Sequence, residues 1–157
     1  FRWRYSYHPY FNYMITRFRF EGSEYDSGII IWRIVHLDNK KILCRIVNFD
    51  VTEQENYKYI SIHLIKELIS QAKKFSCDYI DCFTTDLSMI NLFKTLGWIY
   101  DTNKIYPNRI DPIEQGKELN GEFYIRGEGD YENLEMQFYR GDGDADRPNR
   151  KKNLIDF

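Results

Sequence analysis

Three aspartates at alternate positions near the end of the chain, Asp142, Asp144 and Asp146, are the residues best suited to holding a ligand. Carboxylates this close together repel one another unless a cation neutralises them. A calcium loop of the EF-hand type also needs a glycine after the third acid and a glutamate at its twelfth position, but Arg147 and Asn153 stand there. We predict pairing with neighbouring basic residues and no bound metal. The same acids are our candidates for binding an amine-bearing substrate.

The remaining reactive residue types do not form a recognisable catalytic set. Cys44, Cys77 and Cys82 lack the spacing of a zinc site. Their odd number, in a chain without a signal peptide, predicts reduced thiols in the cytoplasm. The histidines are far apart in the sequence, and His63 falls outside the apolar pattern around it, which predicts a surface position.

The overall composition limits the classes of function. The chain has 157 residues and a formal net charge of −2, which predicts one domain without the basic surface of a nucleic-acid-binding protein. No apolar run has the length that is needed to cross a bilayer. Thirteen tyrosines and eleven phenylalanines predict half-buried aromatic side chains around a groove or an interface. The chain starts at Phe1, so we expect it to be part of a longer protein.

Three segments in the first half of the chain predict β-strands, beginning with Tyr10–Phe18. Ile29–Val35 is almost continuously apolar and β-branched, which is typical of a strand covered on both faces. A polar turn separates it from Ile42–Phe49, so we expect an antiparallel hairpin. Arg33 and Arg45 fall inside these strands, where a charged group needs a carboxylate partner or a place in a substrate groove.

The apolar period changes to that of a helix at Tyr57, which predicts a helix over Tyr57–Phe75. We expect Leu64, Leu68 and Ala72 on its apolar face to pack against the sheet.

A second strand and helix follow this one. Tyr79–Phe83 predicts a short strand and Leu87–Leu96 a helix, with Asp86 as its N-cap and Gly97 in the left-handed conformation at its end. Beyond Tyr100 we predict two further strands, Glu122–Arg126 and Leu134–Tyr139. Residues 140–157 are predicted to form an irregular, Asp-rich tail.

The element order, together with the ending Asn91-Leu92-Phe93-Lys94-Thr95-Leu96-Gly97-Trp98, resembles the cofactor half of the GNAT superfamily of acyl-CoA-dependent N-acyltransferases. The segments Arg140–Asn149, Tyr7-His8-Pro9 and Arg45–Phe49 are similar to a subset of bacterial GNAT-like proteins in which this module is C-terminal. Two family helices that normally precede the first strands have no counterpart here. We therefore expect a single GNAT-like domain over residues 1–157, from the C-terminal part of a longer chain.

The resemblance implies an α/β (α+β) fold, with a mixed, mostly antiparallel sheet flanked by helices. It also implies a cleft where the strands that contain Val51 and Tyr79 separate. In the family, the first of these strands presents backbone groups to the pantetheine of acyl-CoA, and a glycine-rich loop wraps the pyrophosphate at the start of the next helix. The resemblance places these cofactor contacts on Phe49, Val51, Asn56, Lys58, Tyr59 and Ser61.

The loop departs from the family pattern in two ways. Tyr59 matches the first glycine and adds a ring where phosphate needs a close approach to the backbone. Glu53 and Glu55 place negative charge near the helix start, where they satisfy the helix dipole and repel a pyrophosphate. We predict that acetyl-CoA, or another acyl-CoA, binds weakly or not at all, and a working loop is the open alternative.

The residue that protonates the departing thiolate in many GNAT enzymes is a tyrosine, and Phe93 matches it here. A phenyl ring has no proton to donate, so we expect Phe93 in the core. The catalytic residue is unknown, with Tyr79 and Tyr106 as weak candidates.

The resemblance implies transfer of an acyl group to a small-molecule amine acceptor. From the cysteines, the charge and the lack of a long apolar run we expect a cytoplasmic protein without nucleic acid or membrane partners. The main alternative is a catalytically degenerate module that binds an acceptor, forms a homodimer or pairs with a tandem GNAT module. A regulatory ligand-binding domain is a third option.

Overall fold

The computed structural model describes residues 5–7, 11–37 and 40–100. Within them, one sheet has the strand order β1-β2-β3-β4. Its first two pairings are antiparallel and the third is parallel, so the predicted mixed, mostly antiparallel sheet with flanking helices is confirmed. The elements are β1 (Met14–Phe18), β2 (Gly28–His36), β3 (Ile42–Val51), α1 (Tyr57–Lys74), β4 (Tyr79–Cys82) and α2 (Leu87–Thr95), and a 3-10 turn, Gln54–Asn56, precedes α1.

The predicted hairpin of β2 and β3 is confirmed, and both strands are slightly longer than the sequence pattern suggested. The first strand is shorter, because β1 begins at Met14 and not at Tyr10. Just before β1, the Phe11 ring lies under the guanidinium of Arg33, 4.1 Å from the ring centroid, and stands edge-on to Tyr13. These aromatic residues cover a charge on the sheet instead of extending the strand.

Helix α1 covers one face of the sheet through the predicted apolar stripe. Leu64, Leu68 and Ala72 are all at most 3% exposed, which confirms the predicted packing. The approach is closest at Gly28, where a Cβ atom would lie 2.7 Å from Ile60 Cγ2 and 2.9 Å from a methyl group of Leu64. Glycine at the start of β2 therefore lets the helix approach the sheet.

The opposite face of the sheet is also covered, as the apolar run in β2 predicted. Ile31 and Val47 are fully buried there beside Tyr5. Arg33 and Arg45 are buried among the strands as well, at 8% and 0% exposure. A charged side chain in such a place requires a strong partner.

The end of α2 follows the local sequence signals. Asp86 accepts hydrogen bonds from the backbone N–H groups of Ser88 and Met89, which confirms it as the N-cap. Gly97 has a φ of 81°, as its left-handed position after the helix requires. Phe93 is buried and stacks on Trp98, with 4.3 Å between the ring centroids, so its assignment to the core is confirmed.

The predicted surface position of His63 is wrong. Its ring stacks on Phe18 at 5.8 Å and meets the Tyr59 ring edge-on at 4.3 Å, and its Nε2 atom is buried without a hydrogen-bond partner. The aromatic residues at the end of β1 extend the core past the helical stripe, and the period of α1 alone does not reveal this.

The described residues contain no group of three or more ligands that could hold a metal, and their three cysteines are free thiols. Burial raises the pKa of the Cys44 thiol, so that group is an unreactive part of the core. No helix in the described ranges has the length and apolar character that a bilayer span needs. The predictions for Tyr106, Glu122–Arg126, Leu134–Tyr139 and the aspartate tail fall outside the described residues.

Candidate functional site

The cleft expected between β3 and β4 begins where the pairing of these strands stops. They pair from Leu43 with Tyr79 up to Ile46 with Cys82. Beyond Ile46, β3 continues to Val51, and within the described residues no strand accompanies it on that side. β4 ends at Cys82, so the pairing stops there and β3 runs on without β4. We call this end of the β3–β4 pair the opening. Tyr79 lies at the paired end, away from the opening, which removes it as a candidate for the proton donor.

A β-bulge marks the point of separation. Trp32 of β2 faces Ile46, whereas Ile31 faces Asn48, so Val47 is an extra residue in β3. Such an insertion bends and twists the strand that carries it. The backbone N–H of Phe49 is already engaged, because it donates to Asn48 Oδ1 at 2.9 Å.

Below the opening, an ion pair holds the two strands together. Arg45 is fully buried and donates through Nε to both carboxylate oxygens of Asp81, at 3.1 and 3.2 Å, and through a second nitrogen to Oδ2 at 3.0 Å. The expected carboxylate partner of Arg45 is thus Asp81. This two-point contact fixes the register of β3 against β4, one residue pair before their pairing ends.

The side chains of Phe49 and Val51 do not line the cleft. They are 3% and 6% exposed and belong to the core beneath α1. The bulge explains this orientation, since it shifts which residues of β3 face the helix. Any contact that these two residues make with a cofactor would come from their backbone groups.

The start of α1 lacks a side-chain cap. Its N-cap, Asn56, makes no side-chain hydrogen bond to the helix, and the first turn contains no acidic residue. The 3-10 turn runs directly into α1, and the Tyr57 N–H donates to the carbonyl of Gln54, so attraction for phosphate comes mainly from the positive end of the helix dipole. Asn56 and Lys58 are both exposed at this end. They are the predicted cofactor residues whose side chains are best placed to reach an anion.

Glu53 and Glu55 were both expected to interact with the dipole of α1, but Glu53 has other hydrogen-bond partners. Glu53 accepts a hydrogen bond from the hydroxyl of Ser27 at 2.7 Å and another from the amide of Asn56 at 3.3 Å. Its carboxylate fastens the turn to the start of β2 and does not cap α1. Glu55 lies in the 3-10 turn and is exposed. The donors to Glu53 are neutral, so both acids keep a negative charge near the start of α1 that opposes an incoming phosphate.

Tyr59 and Ser61 face in two different directions. The Tyr59 ring is 54% exposed and contacts Phe18 and His63. It is turned along the helix toward β1 and not over the helix start, which weakens the expected obstruction. Ser61 is fully buried in the core face of α1. Its hydroxyl is therefore not available to a ligand outside the protein.

A contact between Tyr57 and Asp86, which the sequence did not suggest, joins the starts of the two helices. The Tyr57 hydroxyl donates to Asp86 Oδ2 at 3.4 Å, while Oδ1 accepts from the first turn of α2. Burial, and then the negative charge of Asp86, raise the pKa of the Tyr57 phenol. Tyr57 is thus a protonated hydroxyl at the open end of the cleft. The sequence did not predict this contact, because Tyr57 is the first residue of the apolar stripe of α1 and was assigned to the core.

Solved structures with similar folds are acetyltransferases. A probable acetyltransferase aligns with 74% of this chain and 70% of its own, at a TM-score of 0.50 and 11% identity. A Trypanosoma brucei acetyltransferase aligns with 61% and 68%, at a TM-score of 0.51 and 11% identity. A ribosomal-protein-alanine N-acetyltransferase from Brucella melitensis biovar Abortus 2308 aligns with 60% and 68%, at a TM-score of 0.50 and 14% identity.

No protein-family model and no curated protein matches the sequence at a significant level. The comparison therefore shows the fold alone. Over the described residues, the chain has a four-stranded sheet with one parallel pair at its end and a helix between the paired strands β3 and β4, and it superposes on the acetyltransferases at TM-scores of 0.50 to 0.51. The described part of this chain has a GNAT-like fold.

Proposed function

We propose that this domain binds acyl-CoA at the separated strands and transfers the acyl group to an amine acceptor. The observation that carries the proposal is that the β3–β4 pairing stops at Cys82 while β3 continues to Val51 and leads into the uncapped start of α1. Acyl-CoA supplies an acyl group activated as a thioester. The residues present fit such a molecule in part, because the helix start can hold its pyrophosphate while the buried Ser61 cannot contribute.

Asn56, Lys58 and the first N–H groups of α1 are the proposed pyrophosphate contacts. The backbone at Phe49 and Val51 is the proposed contact for the pantetheine arm. In the transfer, the amine nitrogen forms the new bond to the acyl carbon, the carbon–sulfur bond breaks and the thiolate takes up a proton. Phe93 cannot supply that proton. Tyr57 lies at the correct end of the cleft, but a raised pKa makes it a weak acid.

The acceptor is proposed to be a small molecule with an amine, with Asp142, Asp144 and Asp146 as its candidate contacts. Carboxylates favour a protonated amine by charge, although the attacking nitrogen must lose a proton before it reacts. Replacing all three aspartates by asparagine should weaken acceptor binding and leave acyl-CoA binding unchanged.

A degenerate module is the second proposal, and specific contacts favour it. The Phe49 N–H is already bonded to Asn48, and the Tyr57–Asp86 contact spans the two helix starts at the opening. A module of this kind would bind an acceptor, form a homodimer or support a tandem partner without catalysing transfer.

An assay for transfer separates the two proposals. The protein is incubated with acetyl-CoA and a panel of primary amines, and release of the free thiol is followed with a thiol reagent. Acyl transfer predicts thiol release that depends on the amine and falls in a Lys58→Glu variant. Release no faster than in buffer, across all the amines, would favour the degenerate module.

A further inference from the structure

A groove of about 680 Å3 runs along the sheet edge formed by β1, on the side away from the proposed cofactor cleft. Its walls are the consecutive residues Met14–Arg17 of β1, Trp32, Glu67 and Gln71 of α1, and Phe75 at the C-terminal end of that helix. We call it the β1 groove. No part of it overlaps the residues proposed to bind acyl-CoA.

The β1 groove follows the backbone edge of a strand. Successive side chains of a strand point to opposite faces, so a groove that touches four consecutive residues must run along the edge. In the described part of the sheet, β1 pairs with β2 on one side only. The backbone N–H and C=O groups on the other side of an edge strand are suited to pairing with another extended chain.

The helix wall has a spacing that a strand can match. Glu67, Gln71 and Phe75 are four residues apart and form one stripe along α1. Glu67 and Phe75 are therefore separated by about 12 Å along the helix axis. In an extended chain, two side chains that lie four residues apart on the same face are separated by about 13 Å. One chain in the groove can thus place one side chain at each end of the stripe.

The two ends of the β1 groove differ in chemistry. At one end, Phe75 is 47% exposed and meets Trp32 edge-on at 5.9 Å, while the Trp32 Nε1–H donates to Thr16 Oγ1 at 3.0 Å. This end is a fixed apolar surface. At the other end Glu67 is exposed and accepts a hydrogen bond from the neutral Gln71 amide.

The negative charge of Glu67 favours a basic ligand side chain at its end of the β1 groove. Arg17, the cation of the groove, turns toward Asp26 at 3.4 Å and shares that acid with Arg19, which binds it at 2.9 Å. Among the described residues, Glu67 contacts only the neutral Gln71 amide by hydrogen bond, so its carboxylate is open to a basic side chain from outside.

We propose that the β1 groove binds an extended peptide segment, which adds a strand to β1. The segment carries a lysine or arginine that reaches Glu67 and an apolar side chain, four positions away, that packs on the exposed Phe75 ring, beside the buried Trp32. This interaction does not depend on acyl transfer. It gives the domain a means of holding a protein partner whether or not the cleft is active.

The test uses a fluorescein-labelled peptide with the sequence Thr-Lys-Thr-Val-Thr-Leu-Thr, titrated with the protein and followed by fluorescence anisotropy. We expect saturable binding. Glu67→Lys should weaken the Kd by roughly tenfold, because the change removes an attraction and introduces a repulsion. Exchanging the peptide's lysine for glutamate should restore binding to that variant. Glu24→Lys makes the same charge change at an exposed site away from the groove, and should leave the Kd unchanged.

Two further peptides test the added strand. These two versions of the same sequence carry N-methyl groups on the odd-numbered or on the even-numbered backbone nitrogens. The version whose methyl groups face β1 cannot pair with it, so one of the two should not bind. Three results would overturn the proposal: no anisotropy change with the first peptide, unweakened binding of both N-methylated peptides, or an unaltered Kd in Glu67→Lys. Dimerisation in sedimentation that Glu67→Lys abolishes, with no peptide binding, would show that the groove holds a second copy of the chain.

Discussion

At the scale of single residues, the site depends on two polar contacts that differ in strength. Arg45 and Asp81 form a buried, two-point ion pair below the opening of the cleft. Tyr57 and Asp86 form one longer hydrogen bond at its open end. The first contact holds the strands in register. The second joins the starts of α1 and α2.

Replacing Asp81 by alanine should lower the free energy of unfolding by about 3–5 kcal/mol, because the charge of Arg45 is left buried without this partner. Urea denaturation is the measurement. The double variant Arg45→Met with Asp81→Leu is the matched control and should recover most of the loss, since an apolar pair replaces an ion pair. A loss below about 1 kcal/mol in Asp81→Ala would show that the register is held elsewhere.

Tyr57 should make the protein less stable in alkali. Its pKa is raised in the folded protein, so the fold favours the protonated phenol. That stability is fully present below the pKa of the unfolded tyrosine, about 10, and is lost as the pH rises through the folded value. Urea unfolding from pH 8 to 11 should show a shallower decline in Tyr57→Phe than in the parent protein. Parallel declines would place the phenol in solvent.

Local signals predicted some residues of the site well and others poorly. Asp86 and Gly97 were predictable because caps depend on the nearest few residues. The need of Arg45 for a carboxylate was predictable from its place in an apolar strand, but the choice of Asp81 was not. That choice follows from the register between two strands that are parallel and distant in sequence. The position of His63 was predicted wrongly, because the Phe18 ring that stacks on it belongs to β1, which is distant in the sequence.

At the scale of elements, α1 connects the sheet to the candidate site. Its apolar stripe fixes the helix on β2 and β3, and its N-terminal end stands beside the opening. The order of strands and helices was predictable because the periods of the sequence change clearly. The bulge at Val47 was not, since an extra residue in a uniformly apolar strand leaves the hydrophobic pattern intact.

Truncation of Leu68 to alanine tests the packing of α1. Leu68 is fully buried, and its loss should cost about 2–5 kcal/mol in the free energy of unfolding. Lys66→Ala on the exposed face of the same helix should change it by no more than about 0.5 kcal/mol. Equal effects in urea denaturation would mean that α1 is not docked through this stripe.

A methyl group at the start of β2 should also be costly. In Gly28→Ala the new Cβ atom meets side chains of α1 at 2.7 and 2.9 Å, so the helix must shift, at about 1–3 kcal/mol. Gly22→Ala has open space around it but a positive φ, which makes it a control for backbone strain alone. A greater loss in Gly22→Ala than in Gly28→Ala would contradict the close approach.

At the scale of the whole molecule, the described fold is that of acetyltransferases, while identity to the structural neighbours is only 11–14%. Packing preserves a fold through many substitutions, because many apolar side chains can fill the same core. A binding loop is less tolerant, since each contact depends on particular atoms. This difference explains why the sequence predicted the scaffold more firmly than the ligand.

Calorimetric titration with acetyl-CoA tests the central claim most directly. We predict weak, saturable binding of one molecule per chain, through the start of α1. Ligand at ten times its Kd should stabilise the fold by about 1.4 kcal/mol in a thermal melt. Lys58→Glu should weaken binding, while Lys66→Glu, with the same charge change farther along the helix, should not. No heat and no stabilisation at millimolar acetyl-CoA, or equal binding by the two variants, would contradict the account.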